Sequence, residues 1–204
     1  MQRETFPRED YRIVTHSISI LKANIVALFY PIPFVMLYLS IYLLTVSLFD
    51  PVEFIFSTDN FLYFALFFLA YLVALLILIV LHELIHAFFF LPGCEKGWKS
   101  IHFGIKQMTP YCHCMEIITM SQFRRSLWGP LWILCPILAA TSIILGDPLT
   151  FLLTLVMIFG SGGDLYVLWA TRKYRGSTTL VFDLEDQIGC EVYLKADPAD
   201  KQTK

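Results

Sequence analysis

Apolar residues dominate the chain in four long runs, each separated from the next by a polar stretch or a turn signal. A helix needs about 20 residues to cross about 30 Å of hydrocarbon, and each run is near or above that length. The first covers residues 23–49 and contains Pro31 and Pro33, which predict a kink or a later true start. The second covers residues 61–91, the third residues 127–145 with Pro130 and Pro136 inside, and the fourth residues 149–170. Gly146-Asp147-Pro148 predicts a tight turn between the last two. Between and after the runs the pattern changes. Residues 100–118 read as two short extended segments around Met108-Thr109-Pro110, and residues 179–194 read as a hairpin turning at Gln187-Ile188-Gly189. The expected fold is an all-α polytopic membrane protein of about four transmembrane helices with small cytoplasmic β-hairpins. Residues 1–22 form an N-terminal arm, 23–175 one membrane-embedded domain and 176–204 a short tail.

Composition agrees with this pattern. Of 204 residues, 57% are hydrophobic and 16% charged, against roughly 25% charged in a soluble domain. The mean hydropathy is +0.64. A net charge of −2 gives no electrostatic reason to expect nucleic acid as a partner, and five cysteines imply no disulfide framework. The polar N-terminus lacks the basic start and short apolar core of a signal peptide, so the first apolar helix is expected to remain in the mature protein.

Basic residues set the expected orientation. Arg3, Arg8, Arg12 and Lys22 precede the first run; Lys96, Lys99, Lys106, Arg124 and Arg125 lie between the second and third; Arg172, Lys173 and Arg175 follow the fourth. The loop from Asp50 to Asn60 has acidic residues and no basic ones. Both termini are therefore expected in the cytoplasm, and the bilayer is the expected surrounding.

The candidate chemistry sits at the end of the second run, in His82-Glu83-Leu84-Ile85-His86. Residues four apart share a helix face, so His82 and His86 can present ring nitrogens to one metal ion. Glu83 can reach a metal-activated water without ligating the metal. This is the equipment for amide hydrolysis: zinc acidifies a water and polarises a carbonyl, and the carboxylate takes the proton. A catalytic zinc requires a third protein ligand. Asp164 follows Gly160-Ser161-Gly162-Gly163 in the fourth run and is the acidic residue well inside another span; an intramembrane acid needs a partner. Otherwise Asp164 pairs with Arg172 or caps a broken helix. Glu116 and His113 are the rival ligands. Cys94, His102, Cys112 and Cys114 offer a separate structural zinc site at a spacing that matches no standard finger. Gly160, Gly162 and Gly163 carry no side chains and let another helix or a substrate backbone come close.

A spanning helix ending in His-Glu-x-x-His, then an extended segment, then an aspartate in a later helix resembles the site-2-protease class of intramembrane metalloproteases. The whole chain, from about residue 15 to 195, more closely resembles the zincin-peptidase family of small bacterial membrane proteins, which carry a Gly-Asp pair in the last span, here Gly163-Asp164. The site-2-protease pattern runs Leu-Asp-Gly; this chain has Gly-Gly-Asp-Leu instead. The resemblance implies a bacterial inner-membrane enzyme with zinc as cofactor, cleaving a membrane protein or peptide at a site reached from the cytoplasm. By position it implies His82, His86 and Asp164 as ligands and Glu83 as general base. The competing expectation is an inactive membrane scaffold or binding partner whose metal site is structural or transport-related.

Overall fold

The computed structural model describes residues 1, 6–48, 61–106, 109–185 and 187–195. The last residue of the first apolar run, the acidic loop from Asp50 to Asn60, Arg3, Met108 and residues 196–204 lie outside the described residues. The helices are α1 (Ile20–Ala27), α2 (Ile32–Leu48), α3 (Phe61–Phe90), α4 (Met120–Leu145), α5 (Pro148–Gly160) and α6 (Gly162–Thr171). The strands are β1 (Tyr11–Ile18), β2 (Ile101–Lys106), β3 (Thr109–Cys114), β4 (Ile118–Thr119), β5 (Leu180–Asp183) and β6 (Ile188–Lys195).

Four helical segments among the described residues are long and apolar enough to cross a membrane: Leu21–Thr45, Phe61–Gly93, Met120–Leu145 and Pro148–Thr171. Two of them are interrupted. The first breaks into α1 and α2 ahead of Pro31 and Pro33, as proline's missing donor dictates. The last breaks at Ser161 into α5 and α6, where three glycines around one serine give poor helix propensity. The turn at Gly146-Asp147-Pro148 forms as its residues predict. Gly146 takes a left-handed φ of 64° and donates its N–H to Ser142, while Asp147 caps α5 by accepting from the Thr150 N–H at 3.0 Å.

The strands go beyond two separate hairpins. β2 and β3 pair antiparallel, with Lys106 opposite Thr109. The expected hairpin of residues 179–194 is β5–β6, but it turns before Ile188 rather than at Gln187-Ile188-Gly189, since Ile188 and Gly189 lie in β6 opposite Ile18 and Ser17, and it belongs to a four-stranded antiparallel sheet of order β1-β6-β5-β4. The N-terminal arm, read as a polar extension, supplies the edge strand β1, with Tyr11 opposite Lys195 and Ile18 opposite Ile188. Its alternation was too weak to read locally. Pairing with β6 brings the chain before α1 beside the chain after α6. Val181, Cys190, Val192 and Tyr193 are fully buried in this sheet.

Close helix contacts position the site. α3 exposes apolar side chains over most of its length, including Phe61, Phe64, Leu69, Leu76 and Val80, and buries Leu78, His82, His86, Ala87 and Phe90 along one stripe. α4 approaches that stripe at Gly129, where a Cβ would lie 2.6 Å from Phe89. α1 approaches α6 at Gly162, where a Cβ would lie 2.1 Å from the Ala27 carbonyl oxygen. Gly162 therefore makes room for a helix, one of the two neighbours its sequence setting allows. Arg124, one of the basic residues between the second and third runs, donates to the carbonyls of Thr171 and Tyr174 and so caps the C-terminal end of α6. Arg172 donates to the Trp169 carbonyl and stacks on its ring.

Candidate metal centre

His82 and His86 lie one turn apart on the buried stripe of α3, 8% and 6% exposed. Asp164 reaches them from α6. Its Oδ2 stands 3.4 Å from His82 Nε2 and 3.5 Å from His86 Nε2. The break at Ser161 places Asp164 in the first turn of α6, where the helix dipole favours a carboxylate. Among the described residues this is the one group of three or more His, Cys, Asp or Glu side chains whose ligand atoms all lie within 4.8 Å of one another.

The donor set fits a zinc ion. Ligands ~2.0–2.1 Å from a tetrahedral centre stand about 3.3–3.4 Å apart, close to the two measured separations. Two imidazoles with one carboxylate also leave the fourth position open. His86 is oriented from behind: its Nδ1 donates to the Ser126 carbonyl at 2.9 Å, which leaves Nε2 as the ligand atom. In return the Ser126 hydroxyl donates to the His86 carbonyl at 2.9 Å. The Ser126 carbonyl lacks its ordinary helical donor because residue 130, four positions on, is proline. This role for Ser126 was missed from the sequence, although a proline four residues after it inside a helix was a readable sign of a freed carbonyl.

Glu83 is not among the clustered ligand atoms. It lines a cleft of ≈ 170 Å³ with His82, His86 and Asp164, and its carboxylate accepts from the Cys112 N–H of β3. The other walls of this cleft are β3 and the turn between β5 and β6. A second cleft, ≈ 370 Å³, opens between Ala23 and Ala27 of α1, Leu75 and Ile79 of α3, and Val156 and Met157 of α5. The two meet at His82, Glu83, Gly160 and Gly163. A Cβ on Gly160 would meet nothing within 4 Å, and one on Gly163 only the tip of Ile188 at 4.0 Å.

The rival ligands are held elsewhere. Glu116 is 2% exposed and accepts from the Ser100 hydroxyl, the backbone N–H groups of Glu95 and Lys96 at 3.0 and 3.1 Å, and the Met1 ammonium at 3.0 Å. Burial pushes its carboxyl up, but these donors together hold it down at about 2. It secures the link between α3 and β2, away from the cluster. His113 lines the cleft that holds the cluster, yet its Nδ1 faces Asp183 Oδ2 at 3.3 Å. Asp183 also accepts from the Cys114 N–H at 3.4 Å. The separate cysteine and histidine zinc site does not assemble: Cys94 meets Cys114, while the His102 ring lies beside Tyr111.

No curated protein and no solved structure matches the chain. A family model described as "putative zincin peptidase" matches residues 75–178, a segment that holds His82, Glu83, His86 and Asp164 together. The chain therefore belongs to that zincin-peptidase family, which implies zinc as its cofactor and peptide-bond hydrolysis as its chemistry.

Proposed function

We propose that the chain is an intramembrane zinc metallopeptidase of the site-2-protease type, hydrolysing a peptide bond in or near a membrane-spanning segment. The observation that carries this reading is the meeting of two clefts at Glu83: one between the helices and one beneath β3 that holds the His82, His86 and Asp164 side chains. An apolar segment can approach from among the helices and leave along a strand edge. The outward apolar side chains of α3 on the approach to the motif favour a bilayer around it. Pairing of β1 with β6 supports both termini on one side, and the basic residues favour the cytoplasmic side of a bacterial inner membrane.

His82, His86 and Asp164 hold the metal. When bound, zinc supplies Lewis acidity, lowering the pKa of a water and polarising a carbonyl. Glu83 takes the water proton and passes it to the leaving amine, as a general base and then acid. The Cys112 N–H keeps its carboxylate turned to the cleft. The β2–β3 hairpin offers a strand to which an unwound substrate adds, and Gly160 and Gly163 leave space for the substrate backbone.

The test is a comparison of protein N-termini in bacterial membranes expressing wild type or Glu83→Gln. New N-termini in or beside spanning segments, present only with wild type, are expected. Identical sets, with both proteins folded and zinc-loaded, would overturn the proposal.

A further inference from the structure

Two thiols outside the metal centre lie unusually close. Cys94 Sγ and Cys114 Sγ are 3.2 Å apart, and both are free. Cys94 follows the Leu91–Gly93 turn that ends the motif helix and is half-buried; Cys114 is the last residue of β3 and is fully buried. A disulfide bond is ~2.05 Å long, so closure needs a sulfur movement of just over an ångström. The remaining thiols belong to Cys112, Cys135 and Cys190.

We propose that Cys94 and Cys114 form a reversible oxidation site, a thiol pair that hydroperoxides convert to an intrachain disulfide. The roles divide by environment. The contact shared with Cys114 holds the Cys94 thiol below its ordinary range, against burial and the Glu116 charge. The Cys114 thiol is pushed up by its contact with Cys94 and by burial. Cys94, half-buried and so the thiol a hydroperoxide can reach, is the attacking sulfur, and the fully buried Cys114 the resolving one. The Cys94 thiolate attacks the O–O bond, giving a sulfenic acid and releasing the alcohol or water. The Cys114 sulfur then displaces water from Cys94 as the S–S bond forms. Two thiols and one hydroperoxide become one disulfide, one alcohol and one water; a dithiol returns the two electrons. In a reducing compartment such a bond is transient, as sensing disulfides are.

The bond would join two elements that meet at the active site. Cys94 anchors the C-terminal end of the helix carrying His82 and His86, and Cys114 lies two residues beyond the N–H that orients Glu83. Oxidation ties the motif helix covalently to the strand beside it. The inference stands apart from the peptidase reading, because its readout is the covalent state of the cysteines.

The experiment treats zinc-loaded, detergent-purified full chain with hydrogen peroxide, blocks remaining thiols with N-ethylmaleimide, and maps peptides without reduction. The expected result is loss of two of the five thiols, one Cys94–Cys114 linkage, and full recovery with dithiothreitol. Cys94→Ser should form no linkage, and Cys114→Ser should stop at a Cys94 sulfenic acid that dimedone traps. Zinc content establishes that each variant is folded; if a serine variant fails, Cys94→Ala and Cys114→Ala replace it. Five free thiols in treated wild type, or a linkage through Cys112, Cys135 or Cys190 instead, would overturn the proposal.

Discussion

His86 Nδ1 donates to the Ser126 carbonyl at 2.9 Å, and that carbonyl is free to accept because Pro130 offers it no N–H. A helix-breaking residue in α4 thus prepares an acceptor for a ligand on α3. Pro130→Ala returns a helical donor to the same carbonyl. We expect zinc to bind about ten-fold more weakly, by competition with a chelator, without loss of helix stability. The effect is partial because a carbonyl oxygen has two lone pairs. Unchanged zinc affinity would remove Pro130 from the metal centre.

Asp164 is the only cluster member supplied from outside α3. Elemental analysis of purified wild type should give about one zinc per chain, and Asp164→Ala should give essentially none. Glu83→Gln should keep its zinc, since Glu83 is not among the clustered ligand atoms, while losing roughly 10²–10⁴-fold in hydrolysis. Zinc kept by Asp164→Ala would place the third donor elsewhere.

Gly160 and Gly162 are two residues apart and should respond oppositely. Gly160→Leu has open space beside it; the protein should fold and load zinc, with cleavage reduced by a side chain in the cleft. Gly162→Ala drives a methyl into the Ala27 backbone. It should cost about 1–3 kcal/mol of stability, read by thermal unfolding in detergent. Equal melting temperatures for Gly162→Ala and wild type would show that α1 does not pack there.

Glu116 predicts an acid limb in stability. Its carboxyl is held at about 2 in the fold, against ~4.3 in an unfolded chain. Because the folded value is depressed, the stabilisation is fully present above the unfolded value and is lost as pH falls from about 4.5 through about 2. Glu116→Gln should be less stable than wild type at neutral pH and should lack this limb. A limb of equal size in the variant would assign it to another carboxylate.

Four apolar runs, the proline break before α2, the turn at Gly146-Asp147-Pro148 and both hairpins were legible in the sequence, because each depends on residues near one another along the chain. So was the placing of His82 and His86 on one face, which follows from 3.6 residues per helical turn alone. The break at Ser161 was only half legible: its glycines read as space for another helix or a substrate, and only the tertiary structure shows that Gly162 serves the approach of α1. β1 escaped notice because its partner lies at the far end of the chain, and an edge strand carries a weak pattern of its own.

What the sequence determined by itself was local: helix periods, breaks, caps and the spacing of one motif. Which acid meets His82 and His86, what occupies Glu116 and His113, and which thiols touch were decided by tertiary structure. Asp164, Glu116 and His113 carry donor groups of similar chemistry. Only the packing of α6 against α1 and α4, with α4 in turn against α3, brings one of them within 3.5 Å of both imidazoles, while backbone donors engage Glu116 and His113 faces Asp183.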